Sequence, residues 1–353
     1  MDTITMSEVT ELTDPKLKAI AKRVLQTFQV AAEKAVAHEA ESANFPMPAA
    51  PDAAERIFHS RLKSLSPVQR QTAVLKVMAS IKAPEAKRVA AFGELGKINL
   101  RSAVSVADEV KKLAMPTSLK FPMSHLTAAV AKIHGGVASS GTPASATVVT
   151  DNLEFRAHKV KCVDETNPEA FGDDEIMLGG ATIDESGDTG KIPQFMVGNS
   201  FDDGEQKVYS PPKRLCSFNL NEGTTFPKSY FVTLALAEKD MGGFGDFLTQ
   251  LYDKIKGRVI EAIAAAIGAA IGSTIPGLGT IVGAVVGWVL GKLVAWIIGL
   301  FSDDVFPPVT LSINIPSLNA RWPGGKTDSP EKIATWTGHG GKYQLTYDWR
   351  LFA

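Results

Sequence analysis

Cysteine is nearly absent from this chain: Cys162 and Cys216 are the only two in 353 residues. Two thiols cannot build the disulfide framework of a small secreted domain; one Cys162–Cys216 bridge is open to them, and reduced core thiols are the expectation for a chain made in the cytosol. The common motifs of chemistry are missing as well. No Gly-x-Ser-x-Gly, His-Glu-x-x-His, phosphate-loop or Cys-x-x-Cys pattern occurs. The six histidines, His38, His59, His125, His134, His158 and His339, are scattered without ligand spacing. The expectation is a protein that is not an enzyme, with no catalytic residues and no small-molecule substrate. His134 and His158 flank a turn-rich stretch and are candidate pH sensors. The N-terminus has no basic region followed by an apolar run, which excludes a secretory signal peptide. Synthesis in the cytoplasm is expected, with export by a dedicated secretion or injection system left open.

A large net charge is also lacking, at −1. No basic excess points to nucleic acid. The small total conceals a division along the chain. Residues 1–150 carry 19 basic and 13 acidic side chains, residues 151–250 carry 9 and 18, and residues 251–353 carry 9 and 7. The acidic middle could dock on the basic first part.

Periodicity divides the chain in the same places. Residues 1–134 read as a helical domain. Asp14-Pro15 supplies an N-cap and a first-turn proline, and Leu17, Ile20, Ala21, Val24, Leu25 and Phe28 keep helical spacing up to about Ala40. A second helix starts near Asp52. Ser66-Pro67-Val68-Gln69 is a capping-box pattern, Pro84 opens a short helix, and Ser105 with Asp108 caps another. Residues 135–147 are small and turn-rich, a linker. From Val148 the period becomes two, with strands around Leu153–Phe155, Val160–Val163, Glu175–Leu178, Ala181–Ile183, Gln194–Val197 and Tyr230–Leu234. Residues 148–240 form the first part of a β-domain, 241–304 a helical insertion, and 305–353 the strands that complete the domain. In that last part Tyr343, Leu345, Tyr347, Trp349 and Leu351 share one strand face. The fold class is α+β: an N-terminal helical bundle, then an antiparallel β-sandwich-like domain interrupted by a glycine-rich hydrophobic helical hairpin. No internal repeat is visible.

That hairpin is the most informative feature. Ala262–Ser302 spans 41 residues with one charge, Lys292. Gly279, Gly283, Gly287 and Gly291 recur every four residues, continued by Ala295 and Gly299; Ala264, Gly268 and Gly272 make a shorter row. Such rows lie on one helix face and let two backbones approach closely. Pro276-Gly277 breaks the segment into two helices of about 22 residues, each about 33 Å long and near the thickness of a bilayer core. Trp288 and Trp296 are placed to anchor at an interface, and Lys292 must pair or reach the surface.

The segment resembles the hydrophobic hairpin of pore-forming bacteriocins such as colicins. The likeness covers residues 258–302 and rests on two Ala/Gly/Ile/Val-rich helices joined at Ile275-Pro276-Gly277. It implies a soluble form that hides the hairpin and a trigger that releases it. The flanking strands depart from the all-helical setting of that family. The expected function is a membrane-active, pore-forming bacterial toxin or secreted effector. Its partners would be a lipid bilayer and other copies of itself, joined through the hairpin. Gly287→Leu is expected to abolish activity while leaving the soluble fold intact. A second reading makes the hairpin a permanently buried core or oligomer interface of a soluble binding or assembly protein, and a third makes it a constitutive two-pass anchor.

Acidic loops are the other candidate site. Asp164, Asp173, Asp174, Asp184 and Asp188 are oxygen ligands of the kind that hold calcium between β-strands. Solvated loops with Asp-Gly turns explain the same residues. Calcium is the one cofactor the sequence admits, and calcium-dependent adhesion to lipid is a further reading.

Overall fold

The computed structural model describes residues 4–134, 150–166, 174–222, 226–238, 244–268, 277–301 and 306–353. The expected linker at 135–147 lies outside them. The chain mixes helix with two antiparallel sheets, an α+β protein.

Helix α1 (Pro15–Ala40) starts where the sequence places it. The Asp14 carboxylate accepts hydrogen bonds from the Lys16 and Leu17 amides at 2.9 and 3.0 Å, which satisfies two of the orphan donors of the first turn. Its first half buries one stripe. From Val30 to Ala37 it is buried all round. Two charges inside that stretch are compensated. Glu33 pairs with Arg88 at 2.9 Å, and the Lys34 ammonium donates to the Ser102 and Val104 carbonyls at 2.6 Å each.

Helices α2 (Ala54–Ser64), α3 (Pro67–Ile81), α4 (Glu85–Phe92) and α5 (Val106–Lys112) pack on α1. The capping box of α3 forms in both directions: the Gln69 amide donates to Ser66 Oγ, and the Ser66 amide donates to Gln69 Oε1. Ser105 caps α5 through the Asp108 amide. Helix α6 (Met123–Ile133) closes this part of the chain.

Among the described residues nine strands form two sheets. They are β1 (Thr5–Glu8), β2 (Asn152–Asp164), β3 (Asp174–Ile183), β4 (Thr189–Phe201), β5 (Gln206–Asn219), β6 (Lys228–Glu238), β7 (Val309–Ile315), β8 (Lys332–Gly338) and β9 (Gly341–Phe352). The five-stranded sheet has the order β1-β7-β6-β3-β4, the four-stranded sheet β5-β2-β9-β8. Helices α7 (Phe244–Ile267) and α8 (Leu278–Phe301) connect β6 to β7, which are hydrogen-bonded neighbours. Strands from both sides of the insertion therefore share sheets.

Strand β6 explains the layering. Its residues are buried on both faces, as expected of a covered central strand. Phe231, Ala235 and Ala237 join one apolar core with α1 to α8. Tyr230, Val232, Leu234 and Leu236 join a second core with Leu153, Phe155, Leu345 and Trp349 of the other sheet. The helices cover one face of the five-stranded sheet, and the four-stranded sheet covers the other. Cys162 and Cys216 are both free.

Strand β1 was not legible as a strand. It pairs antiparallel with β7, Thr5 opposite Asn314 through Glu8 opposite Leu311, and ties the N-terminus to the sheet. Strands β5 and β8 were missed as well. Both are edges of the four-stranded sheet, where one side of the strand needs no partner and Pro211 and Pro212 are tolerated in β5.

One buried ion cluster fastens the four-stranded sheet. Arg156 on β2 donates to both oxygens of Asp348 on β9 and to Asp328. Asp348 is 3% exposed. Removing its partner leaves a buried carboxylate, so Arg156→Met should lower unfolding free energy by about 3–5 kcal/mol. The exposed Lys18–Glu11 pair should be worth under about 1 kcal/mol in Lys18→Met. Urea denaturation of both variants checks the contrast.

Candidate membrane-insertion site

Helix α7 is amphipathic. Phe247, Leu248, Leu251, Tyr252, Ile255, Val259, Ile263 and Ala266 face the core at helical spacing. Its other face carries the exposed Asp246, Asp253 and Glu261 and the half-buried Lys254. Helix α8 differs. Every residue from Leu278 to Leu290 is buried, and the side facing water opens only from Gly291 onward. Its 24 residues are about 36 Å long, enough to cross a bilayer core. Among the described residues it is the one helix long and apolar enough to do so.

The glycine row does not face α7. A Cβ on Gly283 would lie 2.2 Å from the Phe231 ring, and one on Gly287 would lie 2.7 Å from Thr310 Cγ2. Gly279 abuts the Glu185 carbonyl in the same way. The first three glycines thus seat α8 on β6, β7 and the turn between β3 and β4. Close approach of helix to sheet is what excludes a side chain there. Gly291 and Gly299 have open space around them and do not share this role. The turn residue Gly277 takes φ of +74° and packs on Val130 of α6, and Gly268 takes φ of +71° where α7 ends. Gly272 and Pro276 lie outside the described residues. Because position 287 is filled by Thr310, Gly287→Leu disturbs the soluble packing too. The expectation of an intact soluble fold in that variant is corrected on this contact.

Trp288 is buried and Trp296 half-buried. Lys292 reaches the surface, 3.7 Å from Glu11 and beside the Trp288 ring. At the far end the Lys76 ammonium donates to the Gly299 carbonyl at 2.7 Å, a cation at a helix C-terminus.

The start of α8 is held by polar groups. Thr280, fully buried, donates from Oγ1 to Glu185 Oε2 at 3.1 Å, and His134 Nε2 lies 3.1 Å from the same hydroxyl. The Ser229 amide donates to the same Glu185 oxygen at 3.2 Å, and Asn314 Nδ2 donates to the His134 carbonyl at 3.3 Å. Four elements converge on this point: the end of α6, the β3–β4 turn, the sheet and the first turn of α8. Burial pushes the His134 imidazole down to about 4. The sequence marks His134 as titratable. It carries no sign that Thr280, 146 positions away, is its partner, or that Glu185 accepts from the same hydroxyl.

No known protein family, curated protein or solved structure matches the chain. The reading of this site rests on its own geometry.

The acidic candidates separate. Asp184 and Asp188 lie in the β3–β4 turn and come within 4.8 Å of Glu222, which the sequence reading did not single out. Asp184 Oδ1 already accepts from Ser186 Oγ and the Asp188 amide. Asp174 is not available for a metal: Thr166 donates to it from both its amide and its hydroxyl, and Tyr343 from its phenol. Asp164 is exposed at the end of β2 and is not part of the group; Asp173 lies outside the described residues.

Two predictions follow from these contacts. Gly283→Ala should lower stability by about 1–3 kcal/mol through overpacking against Phe231. Gly291→Ala, in open space, should raise it by about 0.5–1 kcal/mol through helix propensity. Thermal unfolding of both variants reads the difference. For His134, a folded-state value below the unfolded 6.5 means full stability above pH 6.5 and progressive loss as pH falls toward 4. The wild-type melting temperature should drop across that window, and His134→Gln should lose that component. Equal slopes in both proteins would remove His134 from any acid response.

Proposed function

We propose that this is a non-enzymatic, membrane-active protein whose soluble form stores α8 against the sheet. On release, α8 and α7 would enter a target bilayer and permeabilise it. In this reading a β-sandwich-like core carries a helical bundle, and the bundle and the sheet together hide the hairpin. The class that fits is a bacterial toxin or secreted effector. Gly291 and Gly299 would serve self-association in the bilayer, and Trp288 and Trp296 would anchor the helix there.

The observation that carries the proposal is the way the span-length helix is held. Its tip rests on the Glu185–Thr280–His134 cluster, which apolar packing does not require. Burying polar groups for stability alone offers little over apolar neighbours. A neutral buried imidazole at the tip supplies an acid-sensitive release point. One observation favours the alternative, a permanently buried hairpin in a soluble binding or assembly protein: the seating of Gly279, Gly283 and Gly287 on the sheet already accounts for those glycines.

A reversible staple tests the two readings. A Cβ at 287 lies 3.1 Å from Thr310 Cβ, a few tenths of an ångström short of the usual disulfide range of about 3.5–4.5 Å, so a small shift of α8 accommodates the bond. Gly287→Cys with Thr310→Cys, in a Cys162→Ala, Cys216→Ala background, should lock α8 to β7. Dye release from anionic liposomes between pH 4 and 7.5 is the readout. The expected result is leakage by wild type below pH 6.5, none by the oxidised double-cysteine protein, and recovery on reduction. Absence of leakage by wild type at every pH would leave the buried-core reading standing.

A further inference from the structure

A cavity of about 320 Å³ opens between α1, α5 with the segment that follows it, and α7. Its walls are largely apolar, with Val24, Val110, Met115 and Ala262 contributing. Three cations and one acid also line it: Arg23, Lys111, Arg258 and Glu261. Glu261 is already claimed. Arg258 contacts it at 2.7 Å and Lys111 at 3.7 Å, while Lys111 also lies 3.7 Å from Asp108. Arg23 is different. Among the described residues no carboxylate pairs with it, although it is half-buried. Burial alone shifts its guanidinium, downward, with no acid opposing the effect.

A half-buried guanidinium without a counter-ion, at an apolar cavity with surplus positive charge, is an incomplete ion pair. Planar, fork-shaped donors of this kind match a carboxylate. The volume sets the size of the partner. A cavity of about 150 Å³ holds benzene, so about 320 Å³ takes roughly ten to twelve heavy atoms. A two-chain lipid is far larger. We propose that this cavity binds a medium-chain alkyl carboxylate, its headgroup on Arg23 and its chain along Val24, Val110, Met115 and Ala262. Because α1 and α7 form opposite walls, the ligand would bridge the central helix and the first helix of the hairpin. The inference stands whether or not the hairpin leaves the core.

Isothermal titration of the full-length protein at pH 7.5 tests it, with octanoate below its micelle threshold as probe. 1-Octanol and octylammonium share the chain and change the head. Wild type should bind one octanoate, more tightly than octanol, and should bind octylammonium weakest. Arg23→Leu and Arg23→Gln should each weaken octanoate about tenfold or more, while octanol affinity stays within about threefold. Arg23→Lys, which keeps the charge and loses the planar fork, should bind octanoate more weakly than wild type and more tightly than Arg23→Gln. Ala262→Phe, which fills the cavity, should abolish binding of both. The unaltered octanol titration shows that the Arg23 variants are folded. Equal affinity for octanoate and octanol in wild type, or octanoate binding indifferent to Arg23, would overturn the proposal. So would binding to anionic phospholipid vesicles that depends on Arg23 when free octanoate is not bound, since Arg23 would then serve a bilayer headgroup.

Discussion

Everything in this structure depends on keeping one helix out of water. Leu278–Leu290 has no polar face, so it must be covered on every side. The five-stranded sheet supplies one cover, and α1, α3, α6 and α7 supply the rest. The sheet can do this only because the helix carries no side chain where it touches. With Cβ atoms at 279, 283 and 287, the backbone of α8 would stand off from β6 and β7, and the apolar flanks would be wetted. The row of glycines, which lowers intrinsic helicity by roughly 1 kcal/mol at each position, is compensated by that close contact. Helix-on-sheet packing and bilayer helix pairing ask for the same sequence device, which is why the pattern alone could not separate them.

The second constraint is the disposal of charge around that helix. Lys292 extends to the surface beside Glu11, and Lys76 reaches the last carbonyls. The first turn of α8 is buried against a cluster of polar side chains. There Thr280 and Glu185 satisfy each other next to a neutral imidazole. Stability is therefore unevenly distributed along α8: apolar and glycine-seated through its middle, polar and protonation-sensitive at its start. The weak point and the tip of the hairpin coincide.

Local signals in the sequence were readable where physics is local. Asp14-Pro15 and Ser66–Gln69 start helices where their capping chemistry says, and Ser105 does the same. Alternation in Tyr343–Leu351 marks a strand that the structure contains, β9. The illegible parts need a partner far away. Thr5–Glu8 has no strand pattern of its own and becomes a strand only because β7 offers an open edge. Strands β5 and β8, also edges, bury too little to leave a clear period. At the candidate site the glycine period was plain, and its partner, a sheet in place of a helix, was not. Glu222 joins Asp184 and Asp188 through chain folding alone, and Asp174 turns out to be spent on Thr166 and Tyr343.

The pairing of β1 with β7 has a kinetic consequence. Thr5 meets Asn314, and α7 and α8, which cover part of α1, begin at residues 244 and 278. A nascent chain therefore emerges with α1 and its neighbours α2 to α5 complete while α7 and α8, which finish the cover of α1, are unsynthesised. Contacts of such long sequence separation form slowly, because their loop-closure entropy precedes any gain. For most of translation the part of α1 that α7 and α8 cover is open to other chains, and the order of synthesis rather than the final fold decides how long it stays exposed.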